Sequence, residues 1–290
     1  MRGAFFQLPP VLFVRDMVQT YGRLGVSRAA AALAYFLILT LFPLLVCVNF
    51  FIGLLELDPE AVFSALDSLL PRESLSIILD YLTYVSGVPQ SQSTPLLLAS
   101  LFTILLSASA GLRTLLKTMD ELYQVRHVSS LRRVVVSVAL SILFLLTIYL
   151  SIVVIFTGDW FFQLLEARLP SPLAELIPLR LLSQLWGWLR YLLLFFCVLL
   201  LVLAVYRMGT PPPLRREKKV LRLTALLSAG ALVACSVLFS WFIGMSSRYS
   251  LVYGSLASLI ILLVWLYFCG NILLVGAVAG RVWFHRRDGT

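Results

Sequence analysis

The chain has 290 residues, of which 60% are hydrophobic and only 13% are charged. An ordinary soluble domain contains about 45–50% and about 25% of these two classes, and a soluble globule of this composition would leave large apolar patches in water. The composition therefore excludes a soluble enzyme, a disordered protein and a disulfide-rich secreted domain. The formal net charge of +9 is typical of a membrane protein whose loops contact anionic headgroups.

Six apolar segments are long enough to cross a bilayer, which takes about 20 residues. The predicted fold is an all-α integral membrane protein with six transmembrane helices and short amphipathic surface helices, forming one membrane domain over residues 1–290. The predicted spans are residues 29–55, 94–112, 134–158, 181–206, 223–247 and 251–280. An amphipathic segment on the cytoplasmic face is predicted before the first span, and one or two outer amphipathic helices are predicted over residues 59–85.

The distribution of charge predicts the orientation. Of the 23 Lys and Arg residues, 18 lie before the first span, after the last one, or in the loops that follow the second and fourth spans, whereas 4 lie on the other side. Short loops rich in Lys and Arg stay in the cytoplasm. We therefore expect a multi-pass membrane protein with both termini in the cytoplasm.

Three stretches together resemble the YihY/BrkB family of bacterial inner-membrane proteins. They are AAALAYFLILTLFPLLV at residues 30–46, SASAGLRTLLKTMDELYQV at 107–125 and YGSLASLIILLVWLYFCGNILLVGA at 253–277. The resemblance implies a six-span protein, and it brings no agreed biochemical activity, although some members carry the label "ribonuclease BN". The family usually has a Gly-Ala-Glu-Leu-Asn pattern where this chain has Gly276 to Gly280. Whether the loss of that acid, near Val278, changes the function is left open.

A first set of candidate site residues lies inside the predicted spans. An arginine within a span costs about 2.5–3.5 kcal/mol at the bilayer centre, so Arg190 either contacts a substrate in a cavity or extends its side chain to the outer interface. Pro43 crowds a backbone carbonyl of its own helix and predicts a kink. With Tyr35 and Asn49 it either lines a polar cavity or sets helix packing. Asn271 is the polar residue of the sixth span that we expect to face the protein interior.

Two further sets lie on the predicted cytoplasmic side. The first follows the second span at helical spacing and forms either a cytoplasmic gate or headgroup site, or a solvated helical extension. Its members are Arg113, Lys117, Asp120 and Glu121. The second is a basic rim expected to attract anionic lipid. It consists of Arg215, Arg216, Lys218, Lys219 and Arg222.

Nothing in the sequence indicates a catalytic centre, a metal site or a cofactor. The four cysteines lie in apolar runs without a CxxC pair, and the only histidines are His127 and His285. Metal-dependent hydrolysis needs converging His, Asp or Glu ligands, so a nuclease fits the sequence poorly and nucleic acid is not expected as a partner. The sequence favours a transporter or lipid-handling protein that moves an amphiphile or small solute. The alternative is a non-transporting scaffold or envelope-assembly factor, and a homo-oligomer is left open.

Overall fold

The computed structural model describes residues 9–54, 90–125, 129–168, 179–211, 218–245 and 256–288. Within these ranges every regular element is an α-helix, which confirms the predicted all-α fold for the part of the chain that is described. The seven helices are α1 (Pro9–Leu24), α2 (Val26–Leu54), α3 (Gln90–Leu122), α4 (Ser130–Arg168), α5 (Leu179–Gly209), α6 (Lys218–Met245) and α7 (Leu256–Asp288). The outer amphipathic helices predicted over residues 59–85 lie outside the described residues.

Helices α2 to α7 are long and apolar enough to cross a bilayer. The shortest, α6, has 28 residues and the longest, α4, has 39. At 1.5 Å per residue they measure about 42 and about 58 Å, against a hydrocarbon core of about 30 Å. Each predicted span overlaps one of these helices, so the predicted number of transmembrane helices is confirmed by length and composition. Where the membrane boundaries fall along each helix stays a prediction.

The six long helices form a closed ring in which sequence neighbours pack together. Each helix from α2 to α7 contacts the next one along the chain, and α7 returns to contact α2. Neighbouring helices run antiparallel, because residues near the end of one contact residues near the start of the next, as Asp120 of α3 does with Arg133 of α4. Helices α2, α4 and α6 therefore begin at the end of the bundle where α3, α5 and α7 finish. We call it the basic end, because the Lys- and Arg-rich segments of the sequence lie there.

Three helices of the ring, α5, α6 and α7, are packed most densely towards the basic end, whereas α2 and α3 also have buried residues farther from it, among them Leu45, Val46 and Ile104. In α5, α6 and α7 every described buried residue lies in the half of the helix nearer that end, except Gly270, which lies two residues before the midpoint of α7. The buried stretches of these three helices are residues 202–209, 224–229 and 270–282. In the other half, no described side chain of α5, α6 or α7 is buried, over residues 185–201, 230–241 and 259–269 respectively. The helices thus share a tight core at the basic end and much less of one beyond it.

Small residues bring α2 close to both of its neighbours in the ring. A Cβ atom placed on Gly270 of α7 would lie 3.2 Å from the Cα and the carbonyl oxygen of Ala30. On the other side, a Cβ on Gly111 of α3 would lie 3.1 Å from the Cβ of Phe36. Helices in lipid associate through such close backbone approaches. The contact between Gly270 and Ala30 is one of the contacts between α7 and α2 that close the ring.

The first helix is amphipathic, as the sequence predicts, but its apolar face packs on the bundle. It contacts α7, α2 and α3, and Val14 and Val18 on its other side are 58% and 64% exposed. Gly25 joins α1 to α2 with a φ of +60°, a left-handed conformation that glycine adopts without a steric cost. The side chains of α1 that pack against the core are Phe13, Met17, Tyr21 and Leu24.

Replacing Gly270 with valine should destabilise the bundle, because the new side chain meets the backbone of α2. We expect Gly270→Val to lower the free energy of unfolding by about 1–3 kcal/mol, the usual cost of an overpacked contact. Gly230→Val is the matched control, since a Cβ at Gly230 has nothing within 4 Å. Thermal unfolding of both variants in the same detergent measures the difference, and equal melting temperatures would contradict the close approach of α7 to α2.

Candidate functional site

The residues predicted to line a cavity in the spans do not form one cluster in the described structure. Arg190 lies on α5, only two residues inside the apolar window that begins at Trp188. Its guanidinium carbon lies 5.2 Å from the centre of the Tyr191 ring. Asn49 lies on α2 with its side chain outside the described part of the chain. A contact of Arg190 or Asn49 with a substrate stays a prediction.

Tyr35 and Pro43 lie on α2, apart from the polar residues of the other helices. Tyr35 is 56% exposed, and its ring packs edge-on against Phe36 with 5.4 Å between the ring centres. Pro43 lies within α2, which continues beyond it to Leu54. Whether these two residues line a cavity or only set packing stays a prediction.

Asn271 is half-buried and joins α7 to the first helix. The Tyr21 hydroxyl donates to Asn271 Oδ1 at 2.8 Å, and Asn271 Nδ2 donates to the carbonyl of Tyr267 at 2.9 Å. The Ser27 and Tyr267 hydroxyls share a hydrogen bond of 2.8 Å. This network connects α1, α2 and α7 across Gly25, so Asn271 holds helices together.

A second buried network joins α5, α6 and α7. Tyr206 of α5 is 2% exposed, and its hydroxyl donates to the backbone carbonyl of Leu273 at 2.7 Å. Because that uses the single hydroxyl proton of Tyr206, the hydroxyl of Ser228 must be the donor in the 2.7 Å hydrogen bond between Tyr206 and Ser228. A Cβ on Gly276 would collide with both hydroxyls. Glycine at 276 is therefore what allows the two polar groups to meet on the surface of α7.

Next to this network, a small crevice lies at the basic end between α3, α5, α6 and α7. Its volume is about 20 Å³, room for about one water molecule. Its residues are Tyr123, Tyr206, Thr210, Val220, Leu221, Thr224, Ala277, Gly280 and Phe284. Four of them carry a hydroxyl group, so the crevice combines apolar walls with several hydrogen-bonding groups.

The backbone at the end of α3 places Tyr123 in the crevice. Val125 N–H donates to the Asp120 carbonyl at 3.0 Å and Gln124 N–H donates to the Glu121 carbonyl at 3.3 Å, with Gln124 in the left-handed region at a φ of 54°. This pair of bonds is the Schellman motif that ends many helices. Burial raises the pKa of Tyr123, although the Thr210 hydroxyl and the Arg281 charge partly offset that effect. The hydroxyl therefore keeps its proton at neutral pH.

The residues predicted as a cytoplasmic gate lie on a continuous extension of α3. Asp120 accepts hydrogen bonds from Arg133 Nε at 3.1 Å and from Arg133 Nη2 at 2.8 Å, which ties α3 to α4. Arg113 Nε donates to the Ser109 carbonyl of its own helix at 3.3 Å. Lys117 and Glu121 are exposed. The four side chains are not gathered around a shared ligand position, and a role for them in gating or headgroup binding stays a prediction.

The basic rim is only partly described. Lys218, Lys219 and Arg222 are exposed at the start of α6. Arg215 and Arg216 lie outside the described residues. The exposed members stand beside the crevice, because Val220 and Leu221 between them form part of its wall.

Metal ligands and thiols do not gather into a site in the described ranges. No group of three His, Cys, Asp or Glu side chains there could hold a metal ion. The cysteines are free thiols, with Cys47 buried and Cys197, Cys235 and Cys269 half-buried.

The sequence reasoning missed the buried contact between Tyr206 and Ser228. The sequence marks Tyr206 only as the end of a predicted span, and no local pattern distinguishes Ser228 from the other serines. The signal that could have found them is the pair Gly276 and Gly280, which predicts a close approach of α7 to another helix. That approach is present, and it brings these glycines against Tyr206, Ser228 and Thr224.

The matches to known proteins cover nearly the whole chain. The family model described as "Virulence factor BrkB" matches residues 17–290. A curated relative from Bacillus subtilis (strain 168), named a ribonuclease-like protein, YfkH, is 23% identical over 276 residues, covering 95% of this chain and 96% of the relative. No solved structure matches significantly. The family matched is the one that the three sequence stretches resemble, so that expectation is confirmed.

Removing the hydroxyl of Tyr21 should loosen α1 from the bundle. One hydrogen bond between helices in a membrane protein contributes about 0.6–1 kcal/mol, so Tyr21→Phe should increase the opening of α1 about three- to fivefold. The rate of trypsin cleavage at Arg23, followed with a tag on the N-terminus, measures that opening. Tyr35→Phe removes a hydroxyl from an exposed side chain and is the control. If both variants are cleaved as slowly as the parent protein, Tyr21 does not hold α1.

Proposed function

The chain belongs to the virulence factor BrkB family, and from that premise we propose that it is a transporter or lipid-handling protein. It moves an amphiphile or a small solute across the bacterial inner membrane, with both termini in the cytoplasm. The basic end of the bundle is then the cytoplasmic end.

The observation that carries the proposal is the uneven packing of three helices of the ring, α5, α6 and α7. The buried residues of α5, α6 and α7 lie at the basic end, and the described side chains in the other half of these helices are not buried. A scaffold built only to pack would gain from contacts along the whole length of its helices. One state of a transporter requires helices that are densely packed at one end and sparsely packed at the other, because the substrate site must be accessible from one side of the membrane at a time.

The contacts between helices at the basic end are of a kind that can hold this end closed and be broken when it opens. Tyr206 and Ser228 join α5 and α6 to α7 through two hydrogen bonds, and Gly280 approaches Thr224 closely. Buried polar groups in a membrane need partners. Opening therefore requires water or a substrate to replace the partners that these hydroxyls lose.

Ribonuclease activity is not part of the proposal, although the printed name of the Bacillus relative includes that term. The acids on the basic side are few, and Asp120 is already paired with Arg133. Hydrolysis of RNA by the purified protein, lost on addition of a metal chelator, would contradict this view.

A disulfide across the basic end tests the proposal. A Cβ at Gly280 would lie 3.8 Å from the Cβ of Thr224, within the range of about 3.5–4.5 Å that disulfides adopt. In a background with the four native cysteines replaced by alanine, Thr224→Cys with Gly280→Cys should form a disulfide on oxidation. The purified protein is reconstituted in liposomes and assayed for scrambling of fluorescent lipids and for uptake of labelled solutes.

We expect oxidation to abolish transport by the double variant, and reduction to restore it. The two single-cysteine variants, treated with the same oxidant, are the controls. Transport that continues unchanged with the disulfide formed would show that the basic end does not open. The absence of both scrambling and uptake in the cysteine-free parent and in the wild-type protein would favour the scaffold alternative.

Orientation is tested by labelling single cysteines in intact cells with a reagent that does not cross membranes. We expect a cysteine at Asp67 to react and one at Lys218 to stay unreactive until the cells are permeabilised, because 18 Lys and Arg lie on the side of the basic end against 4 on the other. The opposite labelling pattern would reverse the orientation.

A further inference from the structure

We propose that α1 docks on the surface of an anionic lipid bilayer, with Val14 and Val18 among the acyl chains and Arg15 and Arg23 beside the headgroups. The partner is the membrane that surrounds the bundle, and α1 lies in its interface at the basic end. This docking does not rest on the proposed transport function, because a membrane scaffold could hold its first helix in the same way.

The first argument is that the sequence of α1 gives the helix three faces. Residues four apart lie on nearly the same side of a helix, and successive residues are turned by about 100°. The three rows that result are Phe13, Met17 and Tyr21, then Val14, Val18 and Gly22, and then Arg15, Gln19 and Arg23. The first row packs against the core of the bundle. The valine row therefore lies between the face that contacts protein and the face that carries charge.

The second argument is the exposure of the two outer rows. Val14 and Val18 are 58% and 64% exposed, so the described part of the chain leaves more than half of each side chain uncovered. All three members of the charged row are exposed as well. Apolar surface in water is unfavourable, and lipid acyl chains can cover the valine row while the neighbouring charges stay among headgroups and water.

The third argument is the position of α1 relative to the membrane. Its 16 residues measure about 24 Å, too short to cross a hydrocarbon core of about 30 Å. The helix ends at Leu24, and the apolar window of α2 begins at Val26. Its Tyr21 donates to Asn271, which lies within the apolar window of α7. Because α1 is fastened to two spanning helices where the apolar part of α2 begins, it lies at the interface.

The fourth argument is the charge of α1, which favours anionic lipid over a second copy of the chain. Arg28, exposed at the start of α2, lies over the junction, since its Nη2 atom would be 2.7 Å from a Cβ on Gly25. With Arg15 and Arg23 it makes a row of three arginines, and basic residues near a bilayer attract anionic headgroups. The one acid of α1, Asp16, is half-buried and lies outside the two outer rows. A twofold contact through the same face would bring the arginines of two chains together, which like charges oppose.

Contact of the valine row with lipid is measured by spin labels on single cysteines of the full chain. The four native cysteines are replaced by alanine, and the labels are attached at Val14→Cys, Val18→Cys or Gln19→Cys. Each protein is reconstituted in liposomes made of equal parts of phosphatidylcholine and phosphatidylglycerol. Oxygen concentrates among acyl chains and a neutral nickel chelate stays in water, so their collision rates with the label report its surroundings. Gln19→Cys is the matched control, because it lies beside Val18 in the charged row.

We expect the ratio of oxygen to nickel collisions to be at least about fivefold higher at positions 14 and 18 than at position 19. Equal ratios at the three positions would place the valines in water and overturn the proposal. Low collision rates with both reagents at positions 14 and 18 would show that protein covers this face, as in a dimer, and would also overturn it.

The preference for anionic lipid is measured with a fluorophore attached at Val18→Cys. It is quenched by phosphatidylglycerol or phosphatidylcholine that carries a nitroxide on the acyl chain. We expect phosphatidylglycerol to quench about fivefold better at equal concentration, because the neighbouring arginines attract it. Arg15→Gln combined with Arg23→Gln should lower that preference to less than twofold.

Lys218→Gln combined with Lys219→Gln is the matched control for charge, because it removes two exposed charges from α6 at the same end of the bundle. This control should keep the preference at position 18. Equal losses in the two double variants, or no preference in the parent protein, would overturn the proposal. None of these measurements depends on transport, so their outcome stands whatever the liposome assays of scrambling and uptake give.

Discussion

The hydrogen bonds of the Tyr206 hydroxyl hold the densest part of the structure together. A hydroxyl in the interior of a membrane protein must be satisfied by another protein group, and Tyr206 finds its partners on two other helices. That requirement fixes how closely α5, α6 and α7 approach, and Gly276 is the residue that permits the approach. The buried hydroxyls of Ser137 and Ser141 need no partner on another helix, because they bond to carbonyls of their own helix.

The basic end gathers several features that have different physical origins. Small residues of α7 and α3 permit close helix contacts, hydroxyls provide links between helices, and arginines remain at the surface of the same region. The apolar core and the positive surface are therefore within a few residues of each other.

The sequence is sufficient to predict the class of fold and the number of spans, because apolar length is a property of single segments. It also singles out Asn271, since one amide in an apolar helix needs a partner. The partner itself, Tyr21, could not be predicted, because it is 250 positions away and no local pattern connects the two. The same applies to Tyr206, whose role depends on how three helices meet.

The closure of the ring between its first and last helices has a consequence for biogenesis. The contact of Ala30 with Gly270 and the bond from Tyr21 to Asn271 can form only after α7 has been synthesised. At about 5–20 residues per second, some 250 residues take about 12–50 s to synthesise. During that interval the apolar face of α1 has its contacts with α2 and α3 but lacks those with α7. The nascent chain thus exists first as an open arc of helices, and its last helix completes both the ring and the docking of its first.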